Sequence, residues 1–565
     1  MTNRPWLKHY PEEIPHELEY QNEPLQYSLK RTAEKYPDHC AIHFMGKELT
    51  YKELYESVLC FANYLQKIGI EKGDRVAIML PNTPQAVISF YGILFAGGIV
   101  VQTNPMYTER ELAFQMQDSG AKVIIALDIL FPRIKKVEKE TNVKHIIVTA
   151  IKDFLPFPKN LVYPFIQKKQ YGFSVKVAHL GNHHVLSECI KQGVPEETVQ
   201  TVNYHEDIAI LQYTGGTTGF PKGVMLTHEN LASNAKMCEA WMYRCKEAGE
   251  VVLGALPLFH VYGMTTVLLL SVARGQKMVL IPKPETKTML KAISEQQVTL
   301  FPGAPTMYIG LLNHPELTKY DLSSIDSCIS GSAPLPVEVQ DQFEKITGGK
   351  LVEGYGLTES SPVTHANLLW DGERVKGSIG LPWPDTLAEI RSLETDEALP
   401  PGEMGELVVK GPQVMKGYWK RPEDTEQTLR DGWLYTGDIG YMDEEGYFYI
   451  VDRKKDVIIA GGFNIYPREI EEVLYEHSAI KETVVVGVPD PYRGETVKAY
   501  IVLKDGANVT EDELNTFTRK HLAAFKVPRV YEFRKELPKT TVGKILRRQL
   551  VAEERQKLER LNKID

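Results

Sequence analysis

Short apolar runs alternate with segments of helical apolar spacing through most of the chain before residue 440. The runs are Lys122–Leu127, His145–Thr149, Ile208–Leu211, Val251–Leu256, Met278–Ile281 and Ser327–Ser330, each of strand length and bounded by turn formers. Between them lie stretches such as Thr50–Ile68, where Leu54, Val58, Ala62 and Leu65 recur at the spacing of one helix face. Such alternation predicts parallel sheets layered with helices, an α/β fold. Over 385–452 the texture shifts to glycine-punctuated short strands, as in PPGEMGELVVKG and DEEGYFYIVD, which predicts a β-rich subdomain. After the polar run RKKD at 453–456 the pattern becomes α+β, with helices expected at Pro467–Tyr475 and Glu511–His521 and strands at Thr483–Gly487 and Val497–Leu503. Pro467 suits a first helical turn, and Glu469, Glu471 and Glu472 suit its dipole. The expected division is a large N-terminal domain of layered α/β subdomains, 1–452, with the β-rich part last, then a small α+β domain, 457–565.

Length agrees with such a division, since 565 residues exceed one compact core and predict roughly three to four domain-sized units. An apolar content of 43%, with 25% charged residues, is enough for large buried sheets under a wet surface. Lys and Arg total 65 against 74 Asp and Glu, a formal charge of −9; this argues against a nucleic-acid protein acting through a global positive field. Anionic substrates must then be met locally. Cys40, Cys60, Cys189, Cys238, Cys245 and Cys328 form no CxxC pair and no zinc-spaced cluster, a pattern that fits free thiols in a reducing cytoplasm. The N-terminus lacks the apolar core of a signal peptide. The best apolar window, Val261–Ala273, is too short to span a bilayer and reads as core. Membrane attachment is thus expected to be peripheral, at the inner face of the cell membrane, or absent. Residues 153–173 admit either reading: aromatic side chains (Phe154, Phe157, Tyr163, Phe165, Tyr171) interleave with Lys159, Lys168 and Lys169 as lipid headgroups favour, and a proline-rich connection packed on its own domain has the same composition.

The strongest chemical signal is YTGGTTGFPKG, 213–223, directly after the run Ile208–Leu211. Gly215, Gly216 and Gly219 let backbone approach an anion, Thr214, Thr217 and Thr218 donate from hydroxyls, and Lys222 supplies charge. It is not the nucleotide P-loop, because Pro221 precedes the lysine and Gly223 follows it. Four further segments carry polar chemistry in order: GSAPL at 331–335, VEGYGLTES at 352–360, YTGDIGYMDEEGYFYIVDRKKD at 435–456 and LPKTTVGKILRRQL at 537–550.

Together these motifs resemble the adenylate-forming superfamily of acyl-CoA synthetases, luciferases and adenylation domains, and the resemblance covers nearly the whole chain. VDRKKDVIIAGGFNIYPREIEE (451–472) and the N-terminal PWLKHYPEEIPHE look like the bacterial long-chain fatty acid:CoA ligases in particular. The resemblance implies ATP, Mg²⁺ and coenzyme A as cofactor and substrates and a fatty acid as the acyl partner. By resemblance, Gly331, Ser332, Ala333 and Tyr355 pack about the adenine, Glu353, Gly354 and Gly356 belong to the same nucleotide-binding loops, Thr358 meets the α-phosphate, and Glu359 ligates Mg²⁺ together with Thr218. Asp438 accepts from the ribose hydroxyls with Arg453 beside it, Lys455 in 453–456 is the hinge about which a mobile C-terminal domain turns, and Lys544 lies over the reacting carboxylate and α-phosphate. Those types suit the tasks: a carboxylate is a hard ligand for magnesium, and an ammonium stabilises charge growing in the transition state.

His260 and Gly303 would lie on the acyl side, and Gly461 and Gly462 would leave room for the pantetheine arm; a lone histidine among apolar residues is more often structural. No GxSxG nucleophile motif is found, in keeping with a route that needs no covalent enzyme intermediate. A medium-chain or 4-coumarate-type ligase would share every nucleotide motif. An inactive acyl- or nucleotide-binding scaffold is disfavoured because Lys222, Glu359, Asp438, Arg453 and Lys544 are all present. Homodimers occur in the resembling family, although the sequence carries no self-complementary signature.

Overall fold

The helix expected from the Thr50–Ile68 spacing runs Tyr51–Lys67 and buries Leu54, Val58, Ala62 and Leu65 completely. It begins where it does because Thr50 and Glu53 form a capping box: the Glu53 amide donates to Thr50 Oγ1 at 3.2 Å and the Thr50 amide to Glu53 Oε2 at 2.8 Å. The computed structural model describes residues 4–171, 175, 177, 181–197, 201–214, 221–460, 463–490, 494–540 and 544–561.

An eight-stranded sheet forms the first layer, in the order Gly417–Tyr418, Lys222–Thr227, Ile208–Thr214, Ile99–Gln102, Arg75–Met79, Val123–Leu127, His145–Thr149 and His183–Val185. From Ile208–Thr214 to the far edge every neighbour is parallel, whereas Lys222–Thr227 returns antiparallel. The central strands are buried on both faces, hence their unbroken apolar runs. A second layer holds the parallel strands Val251–Gly254 and Lys277–Leu280, and Ser327–Ser330 beside Lys350–Gly356. Leu300 bridges these two groups through Val252 and Ser327. Residues 261–273 are helical and largely buried, and among the described residues no helix is long and apolar enough to cross a membrane.

The β-rich part is an antiparallel sheet of Leu387–Arg391, Gly405–Lys410, Trp433–Met442 and Phe448–Arg453. The chain's start closes against it. Trp6 is 1% exposed and meets Phe448 edge-on at 5.9 Å, and Gly446, at φ +94°, gives it room, since a Cβ there would lie 2.7 Å from the Trp6 nitrogen.

The small unit after residue 457 has the long strands Ile480–Asp490 and Gly494–Leu503 at its centre. Alternation along the first sends Val485 to one face, with Ile470, Leu474 and Leu514, and Val484, Val486 and Val488 to the other, with Leu537 and Leu550. Each face thus has its own apolar core, covered by Pro467–Tyr475 and Glu511–His521 on one side and Arg547–Leu561 on the other. The two long strands extend beyond the stretches expected from sequence because their pairing continues through residues of low apolar content.

Candidate active site

The loops that leave the carboxyl ends of the parallel strands open into one cleft of about 2940 Å³, and the small unit forms its other wall. Open α/β sheets bind ligands at such strand ends, and the volume exceeds a typical single-ligand pocket.

Lys222 starts the strand Lys222–Thr227. Its ammonium pairs with Asp424 at 2.5 Å and lies 5.0 Å from the centre of the Tyr418 ring. The Tyr418 hydroxyl donates to Glu359 Oε1 at 2.7 Å. Sheet register explains the grouping: Tyr418 pairs with Val224 and Gly417 with Met225, and the Trp419 amide donates to the Gly223 carbonyl at 2.7 Å. Neither Tyr418 nor Asp424 was singled out by sequence reasoning; the GYWKRPED segment lies too far along the chain, and only strand pairing reveals it. Thr214 is described, but Gly215, Gly216, Thr217, Thr218 and Gly219 lie outside the described residues, as do Gly461 and Gly462.

On the next wall Asp438 joins two partners. Arg453 Nε pairs with its Oδ1 at 2.7 Å, and the Tyr355 hydroxyl donates to its Oδ2. These residues are brought together by register as well, Asp438 lying opposite Arg453 in the antiparallel pair. Burial and the Asp438 charge hold the Tyr355 phenol protonated, well above its ordinary range. Gly331, Ser332, Ala333, Gly354, Gly356, Thr358 and Glu359 line the same cleft. At Gly331 a side chain would collide with the Tyr262 ring at 3.0 Å, while the Tyr262 hydroxyl donates to the Ile329 carbonyl at 2.7 Å. Glu353 is buried and accepts from the Leu335 amide at 3.1 Å; desolvation lifts its carboxyl to about 7, against the pull of Arg468 at 3.9 Å.

His260 lines the cleft, and its Nδ1 accepts from the Tyr262 amide at 3.3 Å. Burial, with Lys544 adding to it, lowers its pKa to about 4, so the ring is neutral near pH 7. Gly303 lies behind the cleft wall, where its carbonyl accepts from the Tyr262 hydroxyl and a Cβ would meet Tyr308 at 2.8 Å.

Lys544 enters from the small unit, near enough to His260, Arg453 and Asp438 for their charges to interact. Its pKa falls to about 8, first because of the Arg453 cation, then through desolvation, with Lys455 and Arg547 adding to the effect and Asp438 opposing it. Lys455 is exposed, between the strand ending at Arg453 and the one beginning at Ile458. Arg547 was not expected. It ties Asp452 at 3.3 Å and Asp456 at 3.6 Å, on either side of 453–455, to Glu471 at 2.6 Å in the small unit. Three carboxylates hold its guanidinium firmly protonated against the cost of burial.

A hard cation would find few protein ligands here: among the described residues no group of three or more His, Cys, Asp or Glu could hold a metal ion. The Glu359 carboxylate at the cleft, with Oε1 hydrogen-bonded to Tyr418, suits a Mg²⁺ that takes most of its oxygens from phosphate and water.

This fold and cleft have known counterparts. Residues 29–419 match the profile of the AMP-binding enzyme family, and residues 469–544 match that of the AMP-binding enzyme C-terminal domain. The chain belongs to the AMP-binding enzymes, the adenylate-forming class that its motifs resemble. Within that class it is 59% identical to a long-chain-fatty-acid–CoA ligase of Bacillus subtilis strain 168, over 98% of both chains. Its identity to the enzyme of the same name from Salmonella typhimurium is 43%, over 98% of this chain and 99% of the relative. In three dimensions it resembles ATP-bound MatB from Rhodopseudomonas palustris, with a TM-score of 0.81 and 30% identity, covering 94% of this chain and 99% of that one.

Proposed function

We propose that this enzyme ligates long-chain fatty acids to coenzyme A in two half-reactions. In the first, a carboxylate oxygen attacks the α-phosphorus of ATP, the bond to the β-phosphate bridging oxygen breaks, and acyl-adenylate and pyrophosphate result. In the second, the CoA sulfur, losing its proton, attacks the acyl carbonyl, and the acyl–phosphate oxygen bond breaks to release AMP. The observation that carries this reading is the convergence of Lys222, Glu359, the Asp438–Arg453 pair and Lys544 on one cleft between the large and small units. The extent of identity to relatives named for long-chain fatty acids supports the acyl class over an aryl acid.

The chain's own groups divide the work. Lys222 and Thr358 receive phosphate oxygens, and Asp438 accepts from ribose hydroxyls while Arg453 fixes its orientation. Neutral His260 helps exclude water and adds no charge beside the reacting carboxylate. Lys544, a cation among cations, is stabilised when anionic substrates arrive, and most strongly where negative charge grows at the α-phosphorus. Glu359 with Thr218 would hold Mg²⁺, which supplies charge neutralisation for the departing pyrophosphate. After the first step the small unit turns about 453–456, withdrawing Lys544 and leaving room for the thiol arm along 461–462. A peripheral membrane contact suits substrates that reside in lipid.

The test is acid-dependent pyrophosphate release from purified protein with MgATP and acetate, octanoate, palmitate, oleate or 4-coumarate, with and without CoA. Release and acyl-CoA formation should peak with palmitate or oleate. A peak with coumarate would instead assign an aryl ligase, and silence with every acid would point to a binding scaffold.

A further inference from the structure

The helix Lys159–Tyr171 turns its apolar side outward. Phe157 just before it, then Leu161, Val162, Phe165 and Ile166, are 79%, 62%, 52%, 75% and 53% exposed. Their spacing, i, i+4, i+5, i+8 and i+9, forms one stripe along a helix surface. Elsewhere among the described residues no ten-residue window exposes more than two large apolar side chains. The opposite side is firmly docked. Gln167 is buried and donates to both Asp128 carboxylate oxygens at 2.9 and 3.0 Å, and Tyr163 packs on the main core. Lys159 donates to the Met45 carbonyl at 3.0 Å, and Lys47 lies over the Phe154 ring at 5.2 Å. The stripe is therefore held in place by contacts on the helix's other side and is not a frayed segment.

Charge indicates what would cover it. Residues 154–171 contain Lys159, Lys168 and Lys169 and no acidic residue, in a chain whose net charge is −9. Lys168 and Lys169 are exposed, and among the described residues neither meets a carboxylate. An outward apolar stripe with Lys168 and Lys169 at its C-terminal end is the arrangement of a helix lying in a bilayer interface: rings and aliphatic groups enter the acyl boundary, while these ammonium groups rise to anionic headgroups.

We propose that the segment Phe157–Lys169 is a docking surface for an anionic lipid bilayer, lying flat in the membrane interface. The contact is peripheral and reversible, because one short stripe gives only a modest partition coefficient.

The test is co-sedimentation of the full chain with sucrose-loaded vesicles, either phosphatidylglycerol/phosphatidylethanolamine or phosphatidylcholine alone; it requires no substrate, so its outcome is independent of the proposed reaction. Wild-type protein should sediment with the anionic vesicles and remain largely in solution with the neutral ones. Phe157→Ser/Phe165→Ser should lower partitioning at least about tenfold. Lys168→Gln/Lys169→Gln should lower it by about fivefold per charge at low salt. All four side chains are exposed, so an unchanged melting temperature will show that the variants fold. Wild-type protein that ignores both vesicle types would overturn the proposal, as would variants that sediment like wild type. A solution dimer that Phe157→Ser/Phe165→Ser dissociates, without vesicle binding by wild type, would also overturn it and assign the stripe to self-association.

Discussion

Lys222 and Lys544 enter the same cleft from two regions of the molecule, and their surroundings are opposite in sign. Lys222 belongs to the great sheet, with its charge already answered by Asp424 and by the face of Tyr418. Lys544 belongs to the small unit and faces Arg453, Lys455 and Arg547, with Asp438 in opposition. A phosphate approaching Lys222 must displace or share a partner, whereas one approaching Lys544 relieves repulsion. The first lysine is thus suited to steady binding. The second is suited to interactions realised only when substrate is present and the two units are closed, which is where catalytic stabilisation is gained.

The comparison breaks most visibly with Lys544→Ala. Adenylate formation should fall about 10²- to 10³-fold, while transfer from supplied acyl-AMP to CoA stays largely intact; equal loss of both steps would remove the asymmetry. Lys222→Ala should act mainly on binding, raising KM for ATP about 10- to 100-fold with a smaller change in kcat, as expected for one charge-assisted hydrogen bond.

Acidity sharpens the contrast next. The charged form of Lys544 dominates below pH about 8, so kcat/KM for adenylation should decline as pH rises through 8, about tenfold per unit well above it. Lys544→Arg should move that limb upward, and bound ATP should displace the corresponding limb of kcat to higher pH. Lys455→Pro should slow thioester formation more than adenylation, by about threefold to tenfold for a perturbed hinge; normal turnover would count against rotation at 453–456.

The smallest expected effect is on stability. The folded-state pKa of Glu353, about 7, lies above the ordinary carboxyl value of 4.5. The neutral form is therefore favoured by folding, and that contribution, full below about pH 4.5, is lost as pH rises from there through 7. Glu353→Gln should match wild type in melting temperature near pH 4.5 and exceed it at pH 8.

Much of this site was legible because its motifs are local. The glycine–threonine loop after an apolar run declares an anion site by residue type alone, whereas the roles of Glu359 and Lys544 are implied only by resemblance, through several motifs that occur together and in order. Tyr418 and Asp424 were not legible, because they reach Lys222 and Glu359 only through the pairing of Gly417–Tyr418 with Val224–Met225. The Tyr355–Asp438 hydrogen bond and the Arg547 cluster were hidden for the same reason. Alternation predicted the α/β layering well, since strands buried on both faces must be apolar throughout. The ends of Ile480–Asp490 escaped it because backbone pairing, unlike burial, leaves no trace in side-chain type.

The seat of Trp6 against Phe448 sets a schedule for synthesis. His9 hydrogen-bonds the Glu445 carbonyl across 436 residues of chain. At ordinary elongation rates of about 5–20 residues per second, the first turn leaves the ribosome roughly 20–90 seconds before its partner exists. Throughout that interval an indole destined for full burial has nowhere native to go, so the large unit cannot be completed in the order in which it is made.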